Sequence, residues 1–256
     1  MDLGATARTE VSMFLAALAV ALSVPAWSQQ QVDPKQFTLD EKSISIENLG
    51  PTVNPKELPA PLPGGGGGDD PSVIIDHIIN IGTKIWNIIE KNKPVVDVKT
   101  QYATALPQGL THWDSLSGWK PPKGTVYGFY AKNTYGVTVI NVKYQVLRTF
   151  GGSYKGKGKY LTAVTIEPLQ VDVAWGYKFS LSVEVPDSSI VNAGTDADPI
   201  AGMMANVHWQ ISTPLKDSQG KGIYYVQGDG LFQQVGGPFQ TAYTSRVEKA
   251  LTSWVK

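Results

Sequence analysis

The sequence predicts a mainly β protein, an antiparallel β-sandwich or flattened barrel flanked by an N-terminal and a C-terminal amphipathic α-helix. Three observations support this fold class. Apolar and polar residues alternate with a period of two in several segments after residue 95, turn-forming residues separate these segments at short intervals, and helical periodicity occurs only near the two ends of the folded part. Many short strands without intervening helices are typical of antiparallel sandwiches and barrels.

The alternation is clearest in three segments, residues 140–146, 177–185 and 206–212. In each of them apolar side chains occupy one face and polar side chains the other, as in a strand with one face on a core. Turn signals rich in glycine, aspartate and serine lie between the segments, at residues 151–153, 156–158, 187–189, 217–222 and 228–230.

A helix is predicted on each side of the strands. Residues 70–72 supply a capping residue and a first-turn proline, and isoleucines recur at helical spacing from Ile74 to Ile89. We expect this helix to end before Pro94 and to pack over one face of the sandwich. The C-terminal helix has apolar residues that share one face, namely Tyr243, Val247, Leu251, Trp254 and Val255.

The first 28 residues have the pattern of a secretory signal peptide. An apolar run over residues 11–24 is followed by Pro25 and by small residues at Ala26 and Ser28. The run has 14 residues, whereas a helix that crosses a bilayer needs about 20. We therefore expect cleavage after Ser28 and export by the secretory route to the periplasm or the extracellular space.

Residues 29–70 are predicted to be a disordered linker. Five prolines lie between positions 51 and 70, and residues 64–68 are consecutive glycines. Such a segment buries too little apolar area to offset the conformational entropy that is lost on folding. The predicted organisation is thus a signal peptide (1–28), a linker (29–70) and a single helix-plus-sandwich domain (71–256).

The composition and the motifs point away from catalysis. The chain has no cysteine, which excludes thiolate chemistry, disulfides and cysteine-ligated metals, and it has neither a G-x-S-x-G nor an H-E-x-x-H motif. We therefore predict a non-enzymatic protein without a cofactor. The candidate for a metal is Ca²⁺ in the loop 186–199, whose carboxylates are Asp187, Asp196 and Asp198, although their spacing matches no EF-hand.

Zero net charge hides an uneven distribution of charged residues. Residues 115–166, the basic aromatic segment, contain eight lysines or arginines, nine aromatic residues and no acidic residue. Residues 167–229 contain eight acidic residues and three lysines. The opposite signs of these two segments suggest head-to-tail self-association as one mode of assembly.

The basic aromatic segment predicts a contact with an anionic polymer or a membrane surface. Lysine and arginine attract phosphate or sulfate, and aromatic rings stack on sugars or lie at a headgroup boundary. The alternative is that the lysines only solvate strand faces while the rings fill the core. The candidate contact residues centre on a hairpin tip and are Lys143, Arg148, Tyr154, Lys155, Lys157, Lys159 and Tyr160.

The leading functional hypothesis is an exported, non-enzymatic binding or assembly protein of the cell envelope or the extracellular space. A membrane-active or pore-forming protein is the first alternative, because the layout of tail, amphipathic helix and aromatic-rich sandwich over about residues 71–186 resembles actinoporin-type pore formers. That resemblance implies a helix that detaches and inserts while ring-bearing loops contact lipid headgroups. The second alternative is a secreted hydrolase, which requires catalytic groups gathered in a cleft. A nucleic-acid partner is not expected, because the chain carries an export signal and no nucleic-acid-binding motif.

Overall fold

The computed structural model describes residues 33–52, 72–95, 101–110 and 113–240. Within these ranges the chain is mainly β, as predicted, and thirteen strands form two antiparallel sheets. In chain order the strands are β1 (Leu39–Pro51), β2 (Ile74–Ile79), β3 (Ile85–Glu90), β4 (Lys93–Pro94), β5 (Ala103–Gln108), β6 (Lys123–Asn133), β7 (Thr138–Tyr154), β8 (Lys157–Val173), β9 (Lys178–Glu184), β10 (Val191–Asn192), β11 (Ala201–Ser212), β12 (Asp217–Gln227) and β13 (Phe232–Gln240). Short 3-10 helices cover Pro34–Phe37, Trp113–Ser115 and Asp187–Ser189.

The core lies between the two sheets. The first sheet has the strand order β1-β6-β7-β8-β5-β2, and the second has the order β13-β12-β11-β9-β3-β4, with β10 paired to β11. Side chains alternate between a buried and a more exposed face, most regularly in β9 and β11. The three segments with the clearest alternation in the sequence lie in β7, β9 and β11, because that alternation is the pattern of a sheet with one face on a core.

Aromatic side chains of both sheets meet in the core. The hydroxyl groups of Tyr144 on β7 and Tyr224 on β12 lie 2.6 Å apart, so a hydrogen bond joins the two sheets. The centroid of the Tyr127 ring lies 4.7 Å from that of Tyr224, and the Phe129 and Phe179 rings lie 5.0 Å apart. Burial raises the pKa of Tyr144 and of Tyr224. Both side chains therefore stay neutral, and one buried hydroxyl donates a hydrogen bond to the other.

The predicted N-terminal helix is wrong, because residues 74–90 form two strands. β2 pairs with β5 in the first sheet, and β3 pairs with β9 in the second. Isoleucine is stiff at χ1 and favours strands. The chain bends between β2 and β3 at Gly82, where only glycine fits, because a Cβ atom there would lie 2.4 Å from the Tyr102 carbonyl oxygen. Asn80 holds this bend, since its Oδ1 accepts hydrogen bonds from the N–H groups of Gly82 and Thr104. Residues 74–90 therefore do not supply the detachable helix that the resemblance to actinoporin-type pore formers implies.

The predicted disordered linker is wrong for residues 33–52. A 3-10 helix capped by Asp33 is followed by β1, which pairs with β6 at the edge of the first sheet. The strand has a local cause, because serine and isoleucine alternate over residues 43–46 and Ile44 is buried. Residues 39–51 are therefore part of the first sheet and belong to the same compact unit as the other strands. The predicted signal peptide, the rest of the linker and the C-terminal helix lie outside the described residues.

Two of the predicted turns lie inside strands. Residues 151–153 belong to β7, in a part of the strand where its register with β8 shifts, and residues 217–222 begin β12. Packing explains the glycine at position 152, because a Cβ atom there would lie 2.4 Å from the Trp119 ring. The turn between β7 and β8 lies at Lys155 and Gly156.

We expect Tyr144→Phe to lower the free energy of unfolding by about 1–3 kcal/mol, because it leaves the buried Tyr224 hydroxyl without its partner. The double variant Tyr144→Phe/Tyr224→Phe removes both polar groups and should lose less than the sum of the two single variants. Urea unfolding followed by tryptophan fluorescence measures all three. Losses that simply add would contradict a hydrogen bond shared between the sheets.

Candidate functional site

The β7–β8 hairpin ends in a cluster of lysines. Lys155 and Gly156 form a two-residue turn in which both have positive φ, 50° and 79°, as in a type I′ hairpin. The Lys155 ammonium lies 5.3 Å from the centre of the Tyr154 ring. Lys157 and Lys159 follow on the exposed face of β8. We call Lys155, Lys157 and Lys159 the tip lysines.

Tyr160 does not belong to the surface of the tip. Because side chains alternate along β8, it lies on the opposite face from Lys157 and Lys159 and is fully buried. Its hydroxyl donates a hydrogen bond of 2.8 Å to the Ile75 carbonyl oxygen. Five of the nine rings in the basic aromatic segment are buried, namely Tyr127, Phe129, Tyr144, Phe150 and Tyr160. More than half of the rings therefore serve packing, as in the alternative interpretation of this segment.

The acidic loop 186–199 packs beside the tip lysines. The Gly158 N–H donates a hydrogen bond of 3.0 Å to Asp198 Oδ1, and the Lys159 N–H donates one of 2.9 Å to the Pro199 carbonyl oxygen. The basic and the acidic segments thus meet within one copy of the chain. The carboxylate of Asp198 weakens the positive field on that side of the tip.

The structure does not bring together the three aspartates of this loop that the sequence offered for Ca²⁺. Asp187 forms an ion pair with Lys84, Asp198 accepts the Gly158 N–H, and Asp196 is exposed. Across the part of the chain that the structure describes, no three acidic or histidine side chains are grouped so that they could hold a metal ion. Asp187 and Asp198 contact different neighbours, so the loop does not gather the three carboxylates around one point.

Lys143 and Arg148 lie on β7 at a distance from the tip. Lys143 is half-buried in the middle of the strand, about 40 Å of strand length from Lys155. Arg148 is buried, although the sequence pattern assigned it to the same surface. The seven predicted contact residues therefore do not share one surface: the tip lysines and Tyr154 are together, and Lys143, Arg148 and Tyr160 are elsewhere.

A cleft of about 740 Å³ lies between the end of β1, the start of β6 and the start of β13. We call it the Arg148 cleft, because Arg148 of β7 is part of its wall. The wall contains two cations, Lys123 and Arg148, and no aspartate or glutamate among the described residues. Neutral polar side chains make up much of the rest, namely Asn48, Thr52, Thr125, Gln233 and Gln234. The volume falls in the range of small-ligand sites.

Arg148 is a buried cation without an acidic partner in the described ranges. The residue is 7% exposed, its Nη1 donates a hydrogen bond of 3.2 Å to Thr125 Oγ1, and its guanidinium carbon lies 4.0 Å from the centre of the Phe232 ring. Nε is buried and has no hydrogen-bond partner in the part of the chain that is described. Burial lowers the pKa of Arg148 to about 10, so the guanidinium keeps its charge at neutral pH. Burying such a charge costs free energy unless an anion compensates it.

The other end of β7 and β8 exposes a group of apolar side chains that the sequence analysis did not single out. Trp175, in the β8–β9 turn, is 82% exposed. Val137 in the β6–β7 turn and Leu215 in the β11–β12 turn are also more than half exposed. We call these three residues the Trp175 end. A groove of about 510 Å³ beside Trp175 has Lys91 and Lys178 in its wall.

The fold and the clefts define a class, an antiparallel two-sheet β protein with a cationic cleft. No protein-family model matches the chain, and neither a curated protein nor a solved structure is significantly similar to it. Within the described ranges, none of the helices has the length and the hydropathy needed to cross a bilayer.

Proposed function

We propose that this chain is a non-enzymatic binding or assembly protein of the cell envelope or the extracellular space that contacts an anionic polymer or surface. Export rests on the predicted signal peptide. The observation that carries the proposal is the β7–β8 tip, where Lys157 and Lys159 are exposed and the Lys155 ammonium lies 5.3 Å from the centre of the Tyr154 ring. Cations next to a ring can attract an anionic group and pack against the body that carries it.

The tip suits an extended partner better than a single ion. Lys157 and Lys159 share one face of β8 at a spacing of about 6.6 Å, so they can contact successive anionic groups of one chain. A single exposed lysine contributes little and is screened by salt, so the affinity has to come from several contacts. Because Asp198 lies beside Gly158, we expect the contact on the side of the tip that faces away from the acidic loop.

Replacing the tip lysines with serine is expected to lower the salt concentration that elutes the chain from a sulfated-polysaccharide column by about half, because three charges leave one surface. The control replaces three exposed lysines elsewhere with serine and removes the same total charge: Lys42, Lys132 and Lys221. If the control elutes as early as the tip variant, net charge alone governs retention and the proposal for the tip fails.

The Trp175 end favours a second candidate function, attachment to a lipid surface. This candidate continues the membrane-active alternative of the sequence analysis. Tryptophan is enriched at membrane interfaces, and neighbouring aliphatic side chains add apolar area that can enter the headgroup region. Trp175, Val137 and Leu215 come from three different turns, and Lys91 in the adjoining groove supplies a charge for anionic lipids.

The double variant Trp175→Ser/Leu215→Ser is expected to reduce co-sedimentation with phosphatidylglycerol vesicles by about tenfold or more, because it removes two large apolar side chains from the contact. Leu169→Ser, at a 48% exposed position of β8, is the matched control. Dye leakage caused by the wild type would indicate membrane activity beyond attachment. If the wild type does not sediment with vesicles, this candidate fails.

Head-to-tail self-association through the two oppositely charged segments remains part of the proposal. The contact between Gly158 and Asp198 already joins these segments within one copy. A second copy would therefore have to use charges outside this contact, such as Lys143 on β7. An association of this kind would weaken as salt rises.

A further inference from the structure

The alternation of β7 places Arg148 on the inner face of the strand, at the edge of the core. Val146 and Phe150, two residues before and after it, are both part of the hydrophobic core. An apolar side chain at position 148 would continue this core without a break, and it would need no compensating charge. The arginine therefore costs stability that its packing does not require.

The guanidinium is held in a fixed orientation. Phe232 covers one of its faces, and Thr125 anchors Nη1. Neither Nε nor Nη2 donates a hydrogen bond to any residue that the structure describes. A guanidinium donates charge-assisted hydrogen bonds to carboxylate, sulfate or phosphate, and an orientation that is fixed in advance lowers the entropy cost of binding.

The wall around Arg148 combines positive charge with neutral polar groups. Lys123 adds a second cation, and no carboxylate among the described wall residues competes with an incoming anion. The amide of Gln233 can both donate and accept hydrogen bonds. Asn48 Oδ1 already accepts the Gly50 N–H and Gln234 Nε2 already donates to the Gly237 carbonyl oxygen, so these two amides offer a ligand the Asn48 Nδ2 donor and the Gln234 Oε1 acceptor. This mixture suits a ligand that carries one anionic group and several hydroxyl groups.

We propose that the Arg148 cleft binds an acidic sugar unit, with the oxyanion of the sugar on the Arg148 guanidinium and its hydroxyl groups on the amide side chains. The oxyanion is a carboxylate in a uronic acid and a sulfate ester in a sulfated sugar, and both accept charge-assisted hydrogen bonds from arginine. The cleft lies about 23 Å along β7 from Lys155, so this inference does not depend on the function proposed for the tip lysines.

A carboxylate of the chain itself is the competing partner for Arg148. β1 ends at Pro51, at the cleft, and Glu57, Asp69 and Asp70 follow in the sequence. A variant that replaces these three acids with neutral amides, Glu57→Gln/Asp69→Asn/Asp70→Asn, is therefore included in the test.

Isothermal titration calorimetry of the full chain with glucuronate, glucose 6-sulfate and glucose tests the proposal. We expect both acidic sugars to bind and neutral glucose to bind at least about tenfold more weakly, because only the acids reach Arg148 with a charge. Arg148→Gln should weaken the binding of both acids by about tenfold or more. The variant of the tip lysines should bind glucuronate as the wild type does, which separates this proposal from the function of the tip.

Thermal unfolding separates a binding role from a structural one. Arg148→Met should unfold at the same temperature as the wild type or a higher one, because it removes an uncompensated buried charge, and glucuronate should no longer raise that temperature. Lys143→Met on the same strand should keep the response to glucuronate. The proposal would be overturned if the unfolding temperature of Arg148→Met fell by many degrees while glucuronate still raised that of Arg148→Lys and Arg148→Gln. Arg148 would then have a structural role only.

Three further results would overturn the proposal. The first is equal binding of glucuronate by the wild type and by Arg148→Gln. The second is equal affinity of the wild type for glucuronate and glucose. The third is that Glu57→Gln/Asp69→Asn/Asp70→Asn binds glucuronate and the wild type does not. That result would show that carboxylates of the chain itself compensate the charge of Arg148.

Discussion

The structure depends on filling the space between two sheets with side chains from both inner faces. Large aromatic residues do most of this, and the hydrogen bond between Tyr144 and Tyr224 joins one sheet to the other at a point that water does not reach. Because side chains alternate along each strand, every position of β7 is assigned to the inside or the outside. Position 148 lies on the inner face, so the same alternation that fills the core also places the Arg148 guanidinium at the edge of the core.

The fold class could be predicted because a sheet with one buried face requires a period of two. The helix predicted from residues 70–72 to just before Pro94 is wrong for a related reason. A run of β-branched isoleucines at mixed spacing fits both periods, and residues 74–90 form strands because they pair with β5 and β9. β1 was missed because the prolines and glycines nearby dominated the composition. The short alternation from Ser43 to Ile46 was the signal that could have identified it.

The candidate sites were predictable only in part. The order of residues along β7 and β8 was enough to bring the tip lysines together, but composition alone could not tell which rings of the segment face the core. Tyr160 and Arg148 are buried because they lie on the inner side of their strands. The wall of the Arg148 cleft also includes Phe232 and Gln233 of β13, which are far from Arg148 in the sequence. No local sequence pattern predicts that these residues lie beside Arg148. The Trp175 end depends in the same way on the fold, because its three residues come from turns that are far apart in the sequence.

The side-chain Nε–H signals of arginine in a ¹⁵N-labelled sample report directly on whether Arg148 binds an acidic sugar. The chain has three arginines, Arg8, Arg148 and Arg246, so the spectrum is simple, and Arg148→Lys identifies the signal of interest. We expect this signal to exchange slowly with solvent, because Nε is buried, and to shift with glucuronate and not with glucose. An Arg148 signal that stays unchanged at saturating glucuronate would show that no acidic sugar binds at Arg148.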